Sequence, residues 1–318
     1  MRAVVTGGLG FLGTRLVRYL GNSGVRVTVV DRPSGEASQE SVPGAEAVLA
    51  VDLSSGAHPD LVAACERADV VFHLAAVGVD PRPRPVGEVL EQNIRSTLAV
   101  AEAAQKGGAG RVVYCGSCFE YGEGAAIRED APLVPRSEYA ASKASSWLYL
   151  LSLQQRGKLA AVAVRPFGVY GPGENVSRLF PSVALGCLRG EEVLMTEGNQ
   201  VRDFVHVDDV ASALLSAALR GVPGRVYNAC TGIPTTIRAT AEAIAAAVGI
   251  QGRFRFGAIP HREAEAQTLW GNPERSRTEL GWQARGLETG LREVRKWFTE
   301  APPAPSSNSA SRCRGIEV

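Results

Sequence analysis

The chain of 318 residues lacks any run of about 18 uncharged apolar residues, the least that crosses a bilayer as a helix. Net charge is nearly absent too. The 34 Lys+Arg stand against 33 Asp+Glu, so no overall basic field draws in a phosphate polymer and no nucleic-acid partner is expected. Cysteine is scarce: the six, at 65, 115, 118, 187, 230 and 313, are too scattered for a disulfide framework and suit a reducing cytosol. The opening Met1-Arg2-Ala3-Val4-Val5-Thr6-Gly7 reads as a strand entering a turn, not as a signal peptide, so the expected address is cytoplasmic with no membrane partner. What the chain does have is 45% hydrophobic and 21% charged residues, the balance of an ordinary globular protein with a substantial core.

Short β-branched runs at Ala3–Thr6, Val25–Val30, Ala47–Val51, Val70–Leu74, Arg111–Cys115 and Ala161–Arg165 read as buried strands separated by segments of helix length. This alternation predicts an α/β fold, a doubly wound parallel sheet of the Rossmann type covered by helices on both faces, with ligands at the C-terminal ends of its strands. It decays at Tyr170-Gly171-Pro172-Gly173. Residues 1–170 are therefore read as a dinucleotide-binding domain, 171–300 as a smaller C-terminal substrate-binding lobe, and 301–318, rich in Pro, Ser and Ala, as a disordered tail. A helix at Asp208–Arg220 and a strand at Arg225–Asn228 are candidates to pack back onto the first sheet and interleave the two parts.

Thr6-Gly7-Gly8-Leu9-Gly10-Phe11-Leu12-Gly13 follows the first strand and opens a helix running to about Ser23. Glycine serves where the backbone turns tightly or must approach a pyrophosphate without a Cβ, and the helix N-terminus supplies free N–H donors. Asp31 closes the second strand near the spacing at which a carboxylate meets the adenosine ribose hydroxyls. Such a carboxylate repels a 2′-phosphate, which favours NAD over NADP; the alternative is that the adjacent Arg32 accepts that phosphate. Asp52 either reaches the adenine amino group or simply caps its loop.

Tyr139-Ala140-Ala141-Ser142-Lys143 lies in a segment read as helix from Ser137 to about Gln155, with Ser137 as N-cap. The i,i+4 spacing puts phenol and ammonium on one face, where the cation draws the phenol toward phenolate and the charge of an oxidised nicotinamide draws it further. Tyr-x-x-x-Lys alone usually marks a solvated helix face. Here Ser117 stands just beyond the fifth strand, at the sheet edge where an active site is expected, with a hydroxyl able to bond the same substrate oxygen.

With these residues the chain resembles the extended short-chain dehydrogenase/reductase family, the nucleotide-sugar epimerases and dehydratases, over residues 1 to about 300. The resemblance rests on TGGLGFLG, Asp31, HLAA at 73–76, Ser117, YAASK, RPFGVYGPG at 165–173, RDFVHVDDV at 202–210 and ELGW at 279–282. It implies that Tyr139 is the acid/base, that Lys143 lowers its pKa and holds the nicotinamide ribose, and that Ser117 orients the sugar oxygen. It implies NAD held by Gly7, Gly10, Phe11, Leu12, Asp31, Asp52, Leu53, Leu74, Ala75, Ala76, Asn93, Tyr139, Lys143 and Pro166. A nucleotide-diphosphate sugar is to meet Ser117, Cys118, Phe119, Tyr139 and Gly168, with Arg202 and Arg262 clamping the diphosphate; for either arginine the bland alternative is a surface ion pair. No metal is expected, and the resemblance implies a homodimer through the two helices on the Tyr139 side.

Departures narrow the chemistry. Family dehydratases carry Asp-Glu directly after the Ser/Thr and decarboxylases a Glu two places on; Cys118-Phe119 stands there instead, which disfavours both reactions unless a lowered Cys118 pKa or the nearby Glu120 supplies an acid/base. Gly168 replaces the family's asparagine and Ser96 a glycine. Cys115-x-x-Cys118 has no second ligand pair and is read as two small buried residues, His73 and His206 as structural, and Pro81-Arg82-Pro83-Arg84-Pro85 as a stiff exposed loop. The leading expectation is an NAD-dependent nucleotide-sugar epimerase, acting at C4 through a keto-sugar. Its rival is a 4-ketoreductase of 4-keto-6-deoxy nucleotide sugars, suggested by Phe119-Glu120-Tyr121-Gly122 and Phe256-Gly257-Ala258-Ile259; a silent dinucleotide sensor is the rival of another class.

Overall fold

The computed structural model describes residues 1–32, 42–78, 84–261 and 265–300, the side chains through 298. Arg262, part of the proline-arginine loop and the 301–318 tail lie outside the described residues. Seven strands, β1 (Arg2–Thr6), β2 (Arg26–Asp31), β3 (Ala47–Ala50), β4 (Val70–His73), β5 (Val112–Cys115), β6 (Ala161–Pro166) and β7 (Val226–Ala229), form one sheet in the order β7-β6-β5-β4-β1-β2-β3. All its pairings are parallel. Each of the strand segments read from the sequence ends within one residue of an observed strand.

Alternate residues of these strands enter two cores, as the two-residue strand period requires. Val5, Val27, Val29, Phe72, Val113 and Val162 pack with Leu16, Leu20 and Leu214 of helices α1 (Phe11–Asn22) and α6 (Val207–Arg220). Val4, Val30, Val71, Val112, Tyr114 and Ala163 face the other way, toward α2 (Pro59–Cys65), α3 (Glu88–Gly107) and α4 (Glu138–Gln155). The candidates for packing back do so: α6 covers the first core and β7 pairs with β6.

A second sheet joins Thr235–Thr236, Val201–Arg202, Thr268–Gly271 and Gly124–Ile127, and so mixes a segment from before residue 170 with three from after it. Beside it, α5 (Leu179–Leu188), α7 (Ile237–Val248) and α9 (Leu287–Glu300) enclose a third core with Tyr170, Phe180, Met195 and Phe204. Among the described residues no helix is long and apolar enough to cross a membrane.

Candidate active site

The turn after β1 is built for close backbone approach. Gly7 has φ +73°, and a Cβ on it would lie 2.7 Å from Ala75 N; one on Gly13 would lie 2.0 Å from Gly7 O. Gly10 is exposed and would meet only Gly7 O, at 3.4 Å, so its outer face is open. It is the N-cap of α1, with no side-chain cap hydrogen bond and no acidic residue in the first turn. A positive helix end with unclaimed donors is what a pyrophosphate requires. Asp31 at the end of β2 accepts Leu9 N–H on one oxygen (2.9 Å) and Arg32 N–H on the other (2.8 Å), which fixes the carboxylate at the edge of this turn.

Other expected cofactor residues divide by burial. Leu74, Ala75 and Ala76 follow β4, with Leu74 N–H on Thr6 O at 3.1 Å. Leu53 is in the core and offers only its backbone; Pro166 ends β6 and is buried. Asp52 caps the short turn Leu53–Ser55, accepting Ser54 N–H at 2.9 Å and Ser54 Oγ at 2.7 Å; these bonds hold its pKa below the usual carboxylate range. Its capping role is thus visible in the structure. Asn93 is engaged at every polar atom: Oδ1 accepts Val77 N–H, and Nδ2 donates to Val77 O and to Ser142 Oγ at 2.9 Å. It ties the segment after β4 to α4.

Ser137 caps α4 as expected, accepting Ala140 N–H at 3.2 Å. Lys143 is 3% exposed; its Nζ donates to Cys115 O at 2.8 Å and lies 5.9 Å from the Tyr139 ring centroid. Ser117 lies just beyond β5, Lys143 Nζ reaches Cys115 O at its end, and the Tyr139 phenol has Ser117 and Cys115 as neighbours, so the three gather there. Burial pushes the Tyr139 pKa up, the neighbouring Cys115, Glu120 and Cys118 add to it, and Ser117 opposes. Burial likewise lowers the Lys143 pKa.

The remaining positions explain the departures. Burial pushes Cys118 up to about 12 although the Arg202 guanidinium opposes it, so this thiol stays protonated. Glu120 is 0% exposed and salt-bridged to buried Arg165 at 2.7 Å. Glu120 is thus engaged by Arg165, and Cys118 remains a thiol. Phe119 is 37% exposed beside Ser117. A Cβ on Gly168 would lie 2.8 Å from the Phe204 ring and 3.0 Å from Asp203 O, so an asparagine does not fit here as packed. Arg202 is 6% exposed and bonds Glu265 Oε1, of a half-buried residue, at 3.2 Å.

Both histidines are structural. His73 bonds Thr6 Oγ1 (2.8 Å) and Thr97 Oγ1 (3.1 Å), and burial drives its pKa to about 3. His206 Nδ1 accepts Asp208 N–H, which leaves the ring proton on Nε2; Asp208 and Glu293 nearby are paired with Arg15 and Arg285. With no free ring lone pair and two arginines on its carboxylates, that group is an ion-pair network and not a cation site. The Glu120–Arg165 pair and the Asn93–Ser142 tie escape sequence reading, because each joins residues 45 or more positions apart that share no motif.

A Gly-rich turn before a helix, a carboxylate at the end of β2 and a Ser-Tyr-Lys group at the sheet edge define a dinucleotide-dependent enzyme acting on a hydroxyl or carbonyl. Residues 3–230 match the NAD-dependent epimerase/dehydratase family, and the chain belongs to that family, of the extended short-chain dehydrogenase/reductase type. A UDP-glucose 4-epimerase of Mycolicibacterium smegmatis is 32% identical over 316 residues, covering 94% of this chain and 98% of that protein. A dTDP-glucose 4,6-dehydratase of Streptomyces niveus is 30% identical over 317 residues, covering 94% and 93%. The solved structure of MoeE5 in complex with UDP-glucuronic acid and NAD superposes with a TM-score of 0.84 at 31% identity, over 94% of this chain and 99% of that one. The enzyme's cofactor is NAD, and the open Gly10 face and capless α1 start fit its pyrophosphate.

Proposed function

We propose that this enzyme is an NAD-dependent nucleotide-sugar epimerase inverting C4 of a UDP-hexose. The observation that carries the reading is the meeting of Ser117, Tyr139 and Lys143 without any free acid next to Ser117: Cys118 is a buried neutral thiol and Glu120 is tied to Arg165. Such a site moves a proton on and off one hydroxyl but has no second group to expel water or CO₂.

Gly7, Gly10, Phe11, Leu12, Asp31 and Lys143 would hold NAD, which supplies a hydride acceptor and donor for the sugar carbon. Ser117 bonds the C4 oxygen and orients it toward Tyr139. Tyr139 accepts the hydroxyl proton as the keto-sugar forms and returns it after the sugar has turned over. Lys143, anchored on Cys115 O, stabilises the phenolate during this exchange. Arg202 clamps the diphosphate, aided by Arg262, and the second sheet with the helices around the third core supplies the nucleotide-sugar lobe. Exposed Leu98 on α3 and Leu148 on α4 support a homodimer through these helices, checked by light scattering.

The experiment is to denature the purified protein, identify the nucleotide released, and follow UDP-glucose by NMR without added cofactor. Near-stoichiometric NAD(H) and formation of UDP-galactose support the reading. An empty protein that oxidises added NADH or NADPH only with a 4-keto-6-deoxy sugar would replace it with the ketoreductase, which Phe119 beside Ser117 favours.

A further inference from the structure

Arg202 is a buried arginine with donors to spare. Its strand, Val201–Arg202, is held against the segments that follow β6 and β7 through the next residue. Asp203 O accepts Gly168 N–H at 2.9 Å, and the Asp203 carboxylate accepts Thr231 N–H at 2.8 Å, Thr231 Oγ1 at 2.6 Å and Gly232 N–H at 2.9 Å. The backbone that carries the guanidinium is therefore fixed. Of the five N–H donors of a guanidinium, two are engaged among the described residues: Nη1 donates to Val201 O at 3.0 Å and Nη2 to Glu265 Oε1 at 3.2 Å.

The contact with Glu265 is loose. Arg165 holds Glu120 through Nε at 2.8 Å and Nη2 at 2.7 Å, whereas Arg202 meets Glu265 through one nitrogen, at a distance beyond the roughly 2.7–2.9 Å usual for a charge-assisted bond. Glu265 lies outside any strand, and its second oxygen already has a holder: Oε2 accepts Gln200 Nε2 at 3.3 Å. Buried Gln200 is itself anchored, its Nε2 donating to Thr196 Oγ1 at 3.1 Å and to His261 Nδ1 at 3.0 Å. Glu123, just before Gly124–Ile127 of the same sheet, is taken by Arg136 at 2.8 Å and by the N–H groups of Gln267 and Thr268. A fixed cation with three unengaged donors thus faces a carboxylate that can let go of it and stay on Gln200.

Resting on the reading of Arg202 as the diphosphate clamp, we propose that Glu265 is the resident counter-anion of that subsite and a specificity-determining residue: it neutralises Arg202 until a diphosphate oxygen displaces it, and reclaims the arginine when the nucleotide sugar leaves. A buried cation left alone in the free enzyme would be costly, and any anion would relieve it. With Glu265 in place, a ligand phosphate must outcompete a carboxylate, so a nucleotide anchored elsewhere in the lobe succeeds and an isolated phosphate does not.

The test titrates UDP, and uridine as the ligand without phosphate, into the NAD-loaded full chain by calorimetry. Glu265→Gln is expected to tighten UDP binding by about tenfold, the lower end of what a hydrogen bond to a charged group is worth, and to leave uridine binding unchanged. In the same variant inorganic phosphate is expected to compete with UDP at millimolar concentrations that leave wild type untouched; equal competition in both proteins overturns the selectivity. Glu265→Asp, which draws the charge back by one methylene, carries the test if the glutamine variant does not fold: a smaller tightening of UDP alone supports the proposal, and none overturns it. Arg202→Met separates the two readings. If it leaves UDP affinity unchanged, Arg202 is not the clamp and Glu265 has nothing to compete for. If it weakens UDP while Glu265→Gln leaves UDP binding unmoved or weaker, or tightens uridine equally, the clamp stands and the role of Glu265 is overturned.

Discussion

The Lys143 ammonium donates to the Cys115 carbonyl at 2.8 Å, which pins α4 to the last residue of β5. Lys143→Met keeps the length and apolar stem but removes both the charge and this bond. Turnover is expected to fall by about 10²–10⁴-fold, the usual range for lost acid–base assistance, with a smaller loss of stability from the unpaired carbonyl. Steady-state kinetics and a melting curve on one preparation separate the two effects.

Asp31 accepts two backbone N–H groups and sits at the edge of the Gly7–Gly13 turn. Asp31→Ala is expected to weaken NAD binding by roughly 10–100-fold, the worth of a hydrogen bond to a charged group, and to narrow the preference over NADP. Titration of both nucleotides into wild type and variant checks this; an unchanged ratio of affinities would mean that Arg32 sets the choice.

Glu174 is 7% exposed, its Oε2 has no hydrogen-bond partner, and burial raises its pKa from 4.5 to about 8. Between those values the folded state holds a proton that the unfolded state has lost, so this group makes stability fall as pH rises through the window, with the cost complete above about pH 8. Glu174→Gln removes the cost. Its Tm is expected to exceed wild type by roughly 5 °C at pH 8, the shift for about 2 kcal/mol in a chain somewhat smaller than this one. The gap closes toward pH 5, and scanning calorimetry at the two pH values measures it.

Cys118 carries a thiol raised to about 12, chiefly by burial, and is 4% exposed. Thiolate reagents at pH 8 are expected to leave it unmodified in the folded protein, and Cys118→Ala is expected to keep turnover within about twofold of wild type, because the residue lends bulk and not a proton. Mass mapping of labelled cysteines and parallel kinetics check both; rapid labelling of Cys118 would show an accessible thiolate.

The sheet was legible because its strands announce themselves: runs such as Val70–His73 are apolar on both faces and bounded by turn residues, so periodicity and length agree. The Gly7–Gly13 turn and Tyr139–Lys143 were legible because their chemistry demands fixed local spacing. Illegible were the contacts that only folding brings together. Glu120 looked like a spare acid until Arg165, 45 residues away, was seen to hold it. Tyr139 looked acidified by its lysine, yet burial, which no local pattern encodes, pushes its pKa up. The absence of asparagine at Gly168 became intelligible only from the Phe204 ring and Asp203 carbonyl packed against it.

The most direct measurement of the central claim uses a UDP-hexose deuterated at C4, incubated with the purified enzyme and no added reduced cofactor. If Tyr139 moves the proton while hydride leaves and returns within one site, the C4 epimer forms with deuterium still at C4, and Tyr139→Phe forms it at least about 100-fold more slowly. An epimer that has lost the label to solvent, or a product that appears only with added NADH, would contradict it.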